Sequence, residues 1–437
     1  MQTKPKKTVP NSLVFKGNLW PFILITSLFM LWGLANNMTD TLLAAFKRIM
    51  SMTDFQTSWI QLAFYGAYFC LAFPAALFIR KFSYKSGVLL GLGLFAFGAL
   101  MFYPASLLMS YGFFLSALYV LAGGLSILET SANPYILVMG PAESATRRLN
   151  LAQSFNPIGS LIGVYMSKVF ILSQLNIAEA DDREAMDPQA LQQIQAQELV
   201  GVMNAYVGVA VFLVFLWFLI KSTKMPKAIE KKESGSLGMA FKRLLKNKKY
   251  LAGVVAQFFY VGAQIGVWSF TIRYVMEALS LNESDASDYY MHAILLFAAS
   301  RFVFTAMMKI IQPSLLLALN ALAAIVCTFI TIYGNDMTGV IALVGISGCM
   351  SLMFPTIYAL AAEGLGEDTK LGGSGLIMAI LGGAVLTAVQ GLVSDSTGNV
   401  SLSFYVPLFC FIVVMVFGAT QYLNGKKRSY SKFNTQI

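Results

Sequence analysis

Residues 32–40, with the sequence WGLANNMTD, form the polar part of the first hydrophobic stretch, which runs from residue 20 to about residue 46. A run of ~20 mainly apolar residues is long enough to cross a bilayer as a helix. In a helix, Trp32, Asn36 and Asp40 lie one above another and Asn37 lies beside them. A carboxylate at bilayer depth costs ~2.5–3.5 kcal/mol on insertion scales, so such residues usually line a cavity. The alternative is that Asp40 bonds to a neighbouring helix and serves packing only.

The composition excludes a water-soluble domain, because 57% of the 437 residues are hydrophobic and only 12% are charged. Windows of apolar residues predict about twelve spans, most of them ~20–30 residues long. The polar and acidic residues 176–197, between the fifth and sixth spans, are predicted to be a solvated outer loop. Such lengths suit tilted helices rather than the shorter strands of a membrane barrel. We therefore expect an all-α membrane protein with twelve transmembrane helices.

The net charge of +10 is explained by the topology. If both termini are cytoplasmic, most of the 31 Lys and Arg residues fall on the cytoplasmic side, as the positive-inside rule requires. The basic charge therefore does not indicate a nucleic-acid partner. The first stretch ends in polar residues instead of a small-residue cleavage site, so we expect it to be retained. The predicted location is the inner membrane of a bacterium, with lipid as a partner.

The only long basic loop divides the predicted spans into six and six. The predicted regions are a cytoplasmic tail (1–18), an N-terminal bundle (19–220), a cytoplasmic linker (221–250), a C-terminal bundle (251–424) and a second tail (425–437). Residues 133–136 (NPYI) and 354–357 (FPTI) fall at matching points of the two halves. This correspondence indicates internal duplication, as in transporters built from repeats.

The fourth span carries a second intramembrane acid, Glu129, which shares a helix face with Asn133. The fifth span begins with an amide stripe at Asn150, Gln153 and Asn156. Each amide offers a donor and an acceptor, which suits a ligand rich in hydroxyl groups. The alternative is that these amides bond to neighbouring helices.

In the second half, one face of the seventh span presents Gln257, Tyr260, Gln264 and Trp268. Arg301 lies well inside the eighth span and needs a partner that the sequence does not identify. The second half has no acid in the middle of a span. Ion coupling is therefore expected in the first half.

The residues with metal-binding or nucleophilic chemistry are few. The single histidine and the four isolated cysteines form no metal or disulfide pattern, and no nucleophile motif is present. We therefore expect neither an enzyme nor a metal site. The four cysteines are Cys70, Cys327, Cys349 and Cys410.

Four segments together closely resemble the bacterial L-fucose/proton symporters, in the fucose-galactose-glucose group of the major facilitator superfamily. These segments are residues 32–40, 124–134, 150–156 and 260–264 with 268–274, and the resemblance covers nearly the whole chain. It implies the major facilitator fold, in which two pseudo-symmetric six-helix bundles surround a central cavity. The cavity opens alternately to either side of the membrane.

The resemblance also implies roles for particular residues. Asp40 and Glu129 match the two carboxylates of the group that cycle through protonation. Asn37, Gln153 and Asn156 match its sugar-facing amides, and Trp32 matches its cavity aromatic. One departure is Phe354, which stands where the group has a tyrosine, and this leaves the sugar specificity open.

The expected function is uptake of a monosaccharide, L-fucose, coupled to protons and requiring no cofactor. We expect a monomer. The predicted sugar-binding residues are Trp32, Asn37, Gln153, Asn156, Gln257, Tyr260, Gln264 and Trp268. One alternative is a glucose or galactose carrier, with sodium as a possible coupling ion, and another is a sugar sensor that binds without transport.

Overall fold

The computed structural model describes residues 12–49, 54–170, 186–226, 236–334 and 336–434. Within these ranges, the side chains of several helical residues, including Asp40, fall outside the description. The helices of the first half are α1 (Leu19–Ile49), α2 (Asp54–Lys81), α3 (Tyr84–Leu107), α4 (Tyr111–Val138), α5 (Ala145–Gln153), α6 (Asn156–Phe170) and α7 (Pro188–Ser222).

The short amphipathic helix α8 precedes the membrane helices of the second half. In chain order, the helices are α8 (Leu237–Lys246), α9 (Lys248–Leu279), α10 (Glu283–Met307), α11 (Pro313–Tyr333), α12 (Met337–Met350), α13 (Met353–Ala362), α14 (Thr369–Met378), α15 (Gly382–Thr397), α16 (Val400–Ser403) and α17 (Tyr405–Asn434). Within the described residues, short 3-10 helices lie at Ala142–Ser144, Gly366–Asp368 and Ala379–Leu381.

The helical membrane architecture is confirmed. Within the described residues, 9 helical segments are long and apolar enough to cross a membrane. The other three predicted spans correspond to α1, to α5 with α6, and to α7. Those same residues contain no β-strand.

Two helix ends differ from the sequence prediction. Helix α7 begins at Pro188, inside the segment that was expected to be a solvated loop as far as Gln197. The reason is a capping signal: the Asp187 carboxylate accepts a hydrogen bond from the Gln189 main-chain N–H at 3.1 Å, and proline favours the first helical turn. At the other end, α17 continues to Asn434, beyond the predicted limit at residue 424.

Glycines bring α1 and α6 into backbone contact. A Cβ atom on Gly33 would collide with the carbonyl oxygen of Asn156, and one on Gly159 would collide with the carbonyl oxygen of Met30. Small residues permit this close approach between helices in a membrane. Helices α1 and α6, which both carry predicted ligand-binding residues, are therefore packed as a unit.

The two halves meet at the end of the bundle where the chain passes from α7 to α8, here called the linker end. Helix α14 packs against α2 and α4, and α13 and α10 pack against α5. Asn150 donates a hydrogen bond from Nδ2 to the Thr356 hydroxyl at 3.1 Å. Arg301 donates from Nη1 to the carbonyl oxygen of Gln153 at 3.0 Å. These contacts close the linker end.

The amphipathic helix α8 is attached to the second half. It buries Ala240 and Leu244 and presents Arg243 to the carboxylate of Asp368. Two hydrogen bonds, Nε to Oδ2 and Nη2 to Oδ1, both measure 2.7 Å. These bonds raise the pKa of the Arg243 guanidinium above its ordinary value, because they favour its charged form.

Candidate substrate cavity

A cavity of about 210 Å³ lies between the two halves. Six of the eight predicted sugar-binding residues line it. They are Trp32, Asn37, Gln153, Asn156, Gln264 and Trp268. The walls thus combine two indole rings with four side-chain amides.

Sequence reasoning did not assign several other lining residues to the site. These include Tyr65, Tyr68, Ser160, Tyr290, Phe297, Arg301 and Phe354. A signal existed for two of them, because Tyr65 and Tyr68 share a face of the second span. Ser160 follows Asn156 by one helical turn and extends the amide stripe.

Hydrogen bonds orient Trp32 and Asn37 of α1 at the cavity wall. The Trp32 indole donates from Nε1 to the Tyr68 hydroxyl at 2.9 Å. The Asn37 amide donates from Nδ2 to the Gly33 carbonyl oxygen at 3.1 Å. The indole ring is therefore held in one orientation while part of its face remains open to the cavity.

The amides of the fifth span are fixed by different partners. Gln153 donates from Nε2 to the Asn133 amide oxygen at 2.8 Å, and Asn133 donates from Nδ2 to the main-chain oxygen of Glu129 at 3.1 Å. Asn156 donates to the main-chain oxygen of Phe29 at 3.2 Å. An amide has two donors and two acceptor sites, so each group retains capacity for a ligand hydroxyl.

On the opposite wall, Trp268 is held by residues of the second half. Its indole donates from Nε1 to the Ser347 hydroxyl at 3.2 Å. Its ring meets Phe297 edge to face, with the ring centroids 5.0 Å apart. The site therefore presents a rigid aromatic surface from each half.

Arg301 has partners that the sequence did not reveal. The side chain is 3% exposed and donates to the main-chain oxygens of Ser351 and Gln153. Its guanidinium also lies 4.5 Å from the Phe297 ring centroid, a cation–π distance. Arg301 thus lines the cavity and also connects the two halves.

Two predicted ligand-binding residues lie outside the cavity lining. Tyr260 is buried and donates from its hydroxyl to the Met350 carbonyl oxygen at 3.1 Å. Gln257 is also fully buried, and its amide has no hydrogen-bond partner among the described residues. Both lie on α9 one to two turns toward the linker end from Gln264. This geometry does not support direct contact with a ligand.

The acid on α4 lies just behind the cavity wall. Glu129 is 3% exposed, and the Tyr68 hydroxyl is the hydrogen-bonding group beside its carboxylate among the described residues. Tyr68, which lines the cavity, interacts electrostatically with this carboxylate. Tyr68 therefore lies between Trp32 and Glu129. Asp40 lies on α1, but its side chain is outside the described residues, so its role remains a prediction.

This arrangement defines a class of protein. A polar and aromatic cavity lies between two membrane-embedded sets of helices and is closed at one end, which is the architecture of secondary transporters. Among the described residues, no cluster of His, Cys, Asp or Glu could hold a metal ion. The site is therefore organised for binding and passage of a small polar molecule.

The chain belongs to the Major Facilitator Superfamily, whose family model matches residues 22–389. It has the fold of that superfamily and is a multi-pass membrane transporter, not an enzyme.

Characterised relatives cover nearly all of the chain. The L-fucose-proton symporter of Haemophilus influenzae is 40% identical over 91% of this chain and 95% of its own length. That of Escherichia coli is 38% identical over 91% of this chain and 92% of its own length. A glucose/galactose transporter of Brucella abortus is 32% identical over 90% of this chain and 92% of its own.

A solved structure has the same architecture. The crystal structure of the transporter FucP in the outward conformation superimposes with a TM-score of 0.87 at 37% identity. The superposition covers 92% of this chain and 99% of FucP.

Proposed function

We propose that this protein couples the uptake of a monosaccharide, L-fucose, to the entry of protons by alternating access. The observation that carries the proposal is a cavity lined by two tryptophans and four amides, with the buried Glu129 behind its wall. The similarity to two L-fucose-proton symporters supports both the sugar and the coupling ion.

The sugar is expected to bind between the two halves. The apolar C–H face of a sugar ring packs well against an indole, so Trp32 and Trp268 supply stacking surfaces. Asn37, Gln153 and Asn156 then bond to hydroxyl groups, each of which needs a donor or an acceptor. Tyr260 acts in this scheme by joining α9 to the end of α12.

The proton is expected to bind at Glu129 and Asp40, the two acids of the first half. Glu129 is placed next to Tyr68, whose hydroxyl accepts the hydrogen bond from Trp32. A sugar that contacts Trp32 therefore acts, through Tyr68, on a group beside the Glu129 carboxylate. A membrane potential of ~100 mV adds about 2.3 kcal/mol of driving force per proton.

Alternating access requires two halves that move relative to each other. We propose residues 19–220 and 251–424 as these halves, with both termini in the cytoplasm of a bacterial cell and the chain in its inner membrane. The linker end is then cytoplasmic, and its closure corresponds to an outward-facing state. The high TM-score with outward-facing FucP supports this assignment.

Uptake into proteoliposomes tests the function. We expect labelled L-fucose to accumulate when an inward proton gradient is imposed, and an inward sodium gradient at constant pH to have no effect. Accumulation driven by sodium alone would contradict proton coupling. Binding without any flux would instead indicate a sensor.

A competing substrate class is glucose or galactose. It is favoured by the relatives that carry those sugars and by Phe354, which lines the cavity without a hydroxyl group. A panel of unlabelled sugars competing with L-fucose separates the two. Stronger competition by D-glucose or D-galactose than by L-fucose itself would overturn the assignment of fucose.

A further inference from the structure

Three buried polar side chains between the cavity and the linker end have no hydrogen-bond partner among the described residues. They are Thr130 on α4, Gln257 on α9 and Tyr358 on α13, and each is 0% exposed. Thr130 directly follows Glu129, whose carboxylate has the Tyr68 hydroxyl as its neighbour. Buried polar groups in proteins are nearly always hydrogen-bonded, so three such groups in one region require an explanation.

Contacts at one glycine show that the Tyr358 hydroxyl and the backbone of α4 come together where the two halves meet. A Cβ atom on Gly373 of α14 would lie 2.7 Å from the Tyr358 hydroxyl oxygen and 3.9 Å from the main-chain oxygen of Thr130. The Tyr358 hydroxyl therefore reaches across the seam toward α4. It also interacts electrostatically with Glu129.

The packing of α9 on α13 places Gln257 at the same height along the bundle as Tyr358. Gly253 packs against Ala361, and the hydroxyl of Tyr260 bonds to the carbonyl oxygen of Met350. Because the two helices run in opposite directions, Gln257 lies beside the turn that contains Tyr358. Its amide offers two donors and two acceptor sites to the same region.

The chemistry of this group suits a chain of bound water. A buried water molecule bonds to two to four polar groups that otherwise have no partner. Here the acid and a hydroxyl on α4, the amide on α9 and the phenol on α13 supply such partners. A tyrosine hydroxyl accepts at its oxygen and donates its hydrogen, so it can stand between two waters.

We propose that Tyr358 relays the proton that Glu129 releases toward the linker end, through water held by Thr130 and Gln257. The carboxylic acid gives its proton to the first water as that water passes one to the Tyr358 oxygen. The phenol gives its own proton to the next water, so tyrosine is neutral before and after. This inference rests on the proposed function, in which Glu129 carries the coupled proton.

Gly373 gives this route a gate. In the closed linker end, α14 touches both Tyr358 and the backbone of α4, so the route ends at this contact. Movement of α14 away from α4 would admit solvent from the linker end. The relay would then release the proton only in the state that also releases the sugar.

Other titratable groups lie near Tyr358, where the proposed route meets the linker end. Tyr84 interacts with Tyr358, stacks on Tyr135 with ring centroids 5.2 Å apart and lies 5.6 Å from the Lys370 ammonium. Tyr250 is also within electrostatic range, but its hydroxyl already donates to the Gly372 carbonyl oxygen at 2.9 Å. Tyr358 is therefore the tyrosine whose hydroxyl is left for a relay.

Tyr358→Phe is the direct test, because it removes the hydroxyl and keeps the ring. The reconstituted full-length protein is assayed for net L-fucose uptake and for proton entry under a pH gradient. It is also assayed for exchange of labelled against unlabelled sugar at equal pH. We expect net uptake to fall at least about tenfold, since positioned proton transfer contributes ~10²–10⁴-fold in rate. Exchange and sugar affinity should stay within about twofold of wild type, since neither needs proton release.

Two further variants distinguish a relay from loss of packing. Thr130→Val keeps the side-chain shape and should lower net uptake in the same direction by a smaller factor. Tyr274→Phe removes another buried hydroxyl, one that donates to the carbonyl oxygens of Thr331 and Gly334, and serves as the control. The control should change net uptake and exchange by the same factor.

The outcomes distinguish failure of the relay from failure of the proposed transport function. Wild-type net uptake in Tyr358→Phe, or an equal loss of uptake and exchange, would overturn the relay while leaving the transport function intact. Absence of pH-driven uptake in the wild type would instead overturn the proposed function itself.

Discussion

Arg301 on α10 donates a hydrogen bond to the main-chain oxygen of Gln153 on α5 across 3.0 Å, and so joins the two halves directly beneath the cavity. The same guanidinium bonds to Ser351 within its own half. Because both acceptors are main-chain atoms, the connection depends on the position of the helices and not on a partner side chain. Closure of the linker end is therefore coupled to the wall of the binding site.

Replacing this arginine should favour opening of the linker end. Hydrogen bonds to charged groups contribute ~1.5–3 kcal/mol, so Arg301→Gln should shift the population of the closed state by about tenfold or more. Distances between spin labels on α5 and α13, measured by double electron–electron resonance, should lengthen. Arg301→Lys keeps the charge with a different geometry and should be intermediate. An unchanged distance distribution in Arg301→Gln would contradict this role.

The second hydrogen bond between the halves should act in the same direction with a smaller effect. Thr356→Val removes the hydroxyl that accepts from Asn150 at 3.1 Å, at a cost of ~1 kcal/mol. The same spin-label distances should show a several-fold shift toward the open linker end. Thr356→Ser retains a hydroxyl and is the matched control. Identical behaviour of the Val and Ser variants would remove this bond from the closing contacts.

The indole of Trp32 should contribute directly to sugar affinity. Trp32→Ala removes both the stacking surface, worth ~0.5–1.5 kcal/mol, and the hydrogen bond to Tyr68, worth ~1 kcal/mol, so binding should weaken by about tenfold or more. Isothermal titration calorimetry with L-fucose measures the change. Trp32→Phe keeps a ring and should lose less. If the alanine variant binds normally, the sugar does not lie against α1.

Neutralising the acid behind the cavity should uncouple transport. Glu129→Gln keeps the shape of the side chain but has no proton to exchange, so accumulation of sugar against its gradient should be abolished. Exchange of sugar across the membrane should persist, because it requires no net proton movement. Labelled-sugar uptake in proteoliposomes measures both. Accumulation at the wild-type level would exclude Glu129 from coupling.

Asp40 is expected to behave in the same way as Glu129. Asp40→Asn should abolish uphill uptake while some exchange remains, and the two variants together show whether both acids are needed. Retention of uphill uptake in Asp40→Asn would leave Glu129 as the only coupling acid of the first half.

The contact between α8 and the second half should be sensitive to charge. Asp368→Asn weakens both hydrogen bonds from Arg243, so amide hydrogen exchange in α8 should accelerate. High salt should have a similar but smaller effect on the wild type, because Arg243 is partly exposed and surface ion pairs are screened. Unchanged exchange in α8 would mean that the burial of Ala240 and Leu244 and the 2.8 Å ion pair of Arg243 with Glu367 are enough to hold the helix.

Helical periodicity was sufficient to predict which faces of the helices are polar. It placed Trp32 and Asn37 together on α1, and both line the cavity. It also placed Tyr260 and Gln264 on one face of α9, but only Gln264 reaches the cavity. Spacing determines the direction in which a side chain points, and the height of the cavity along the helix depends on how other helices pack.

The partners of Arg301 could not be predicted for a related reason. The side chain bonds to carbonyl oxygens of α5 and of the turn between α12 and α13, and any residue type supplies a carbonyl oxygen. The early start of α7 was different, because Asp187 followed by Pro188 is a recognisable helix start. That signal was present in the sequence and was outweighed by the polarity of the segment.

The glycine-mediated contact of α1 with α6 limits what conformational change can do to the site. Backbone atoms of the two helices touch at Gly33 and Gly159, so neither helix can rotate or slide alone without a steric clash. The spacing between Trp32 and Asn37 on one helix and Asn156 on the other is thus fixed. In the proposed transport cycle, a ligand on this surface would therefore be bound or released as residues of the second half approach it or withdraw.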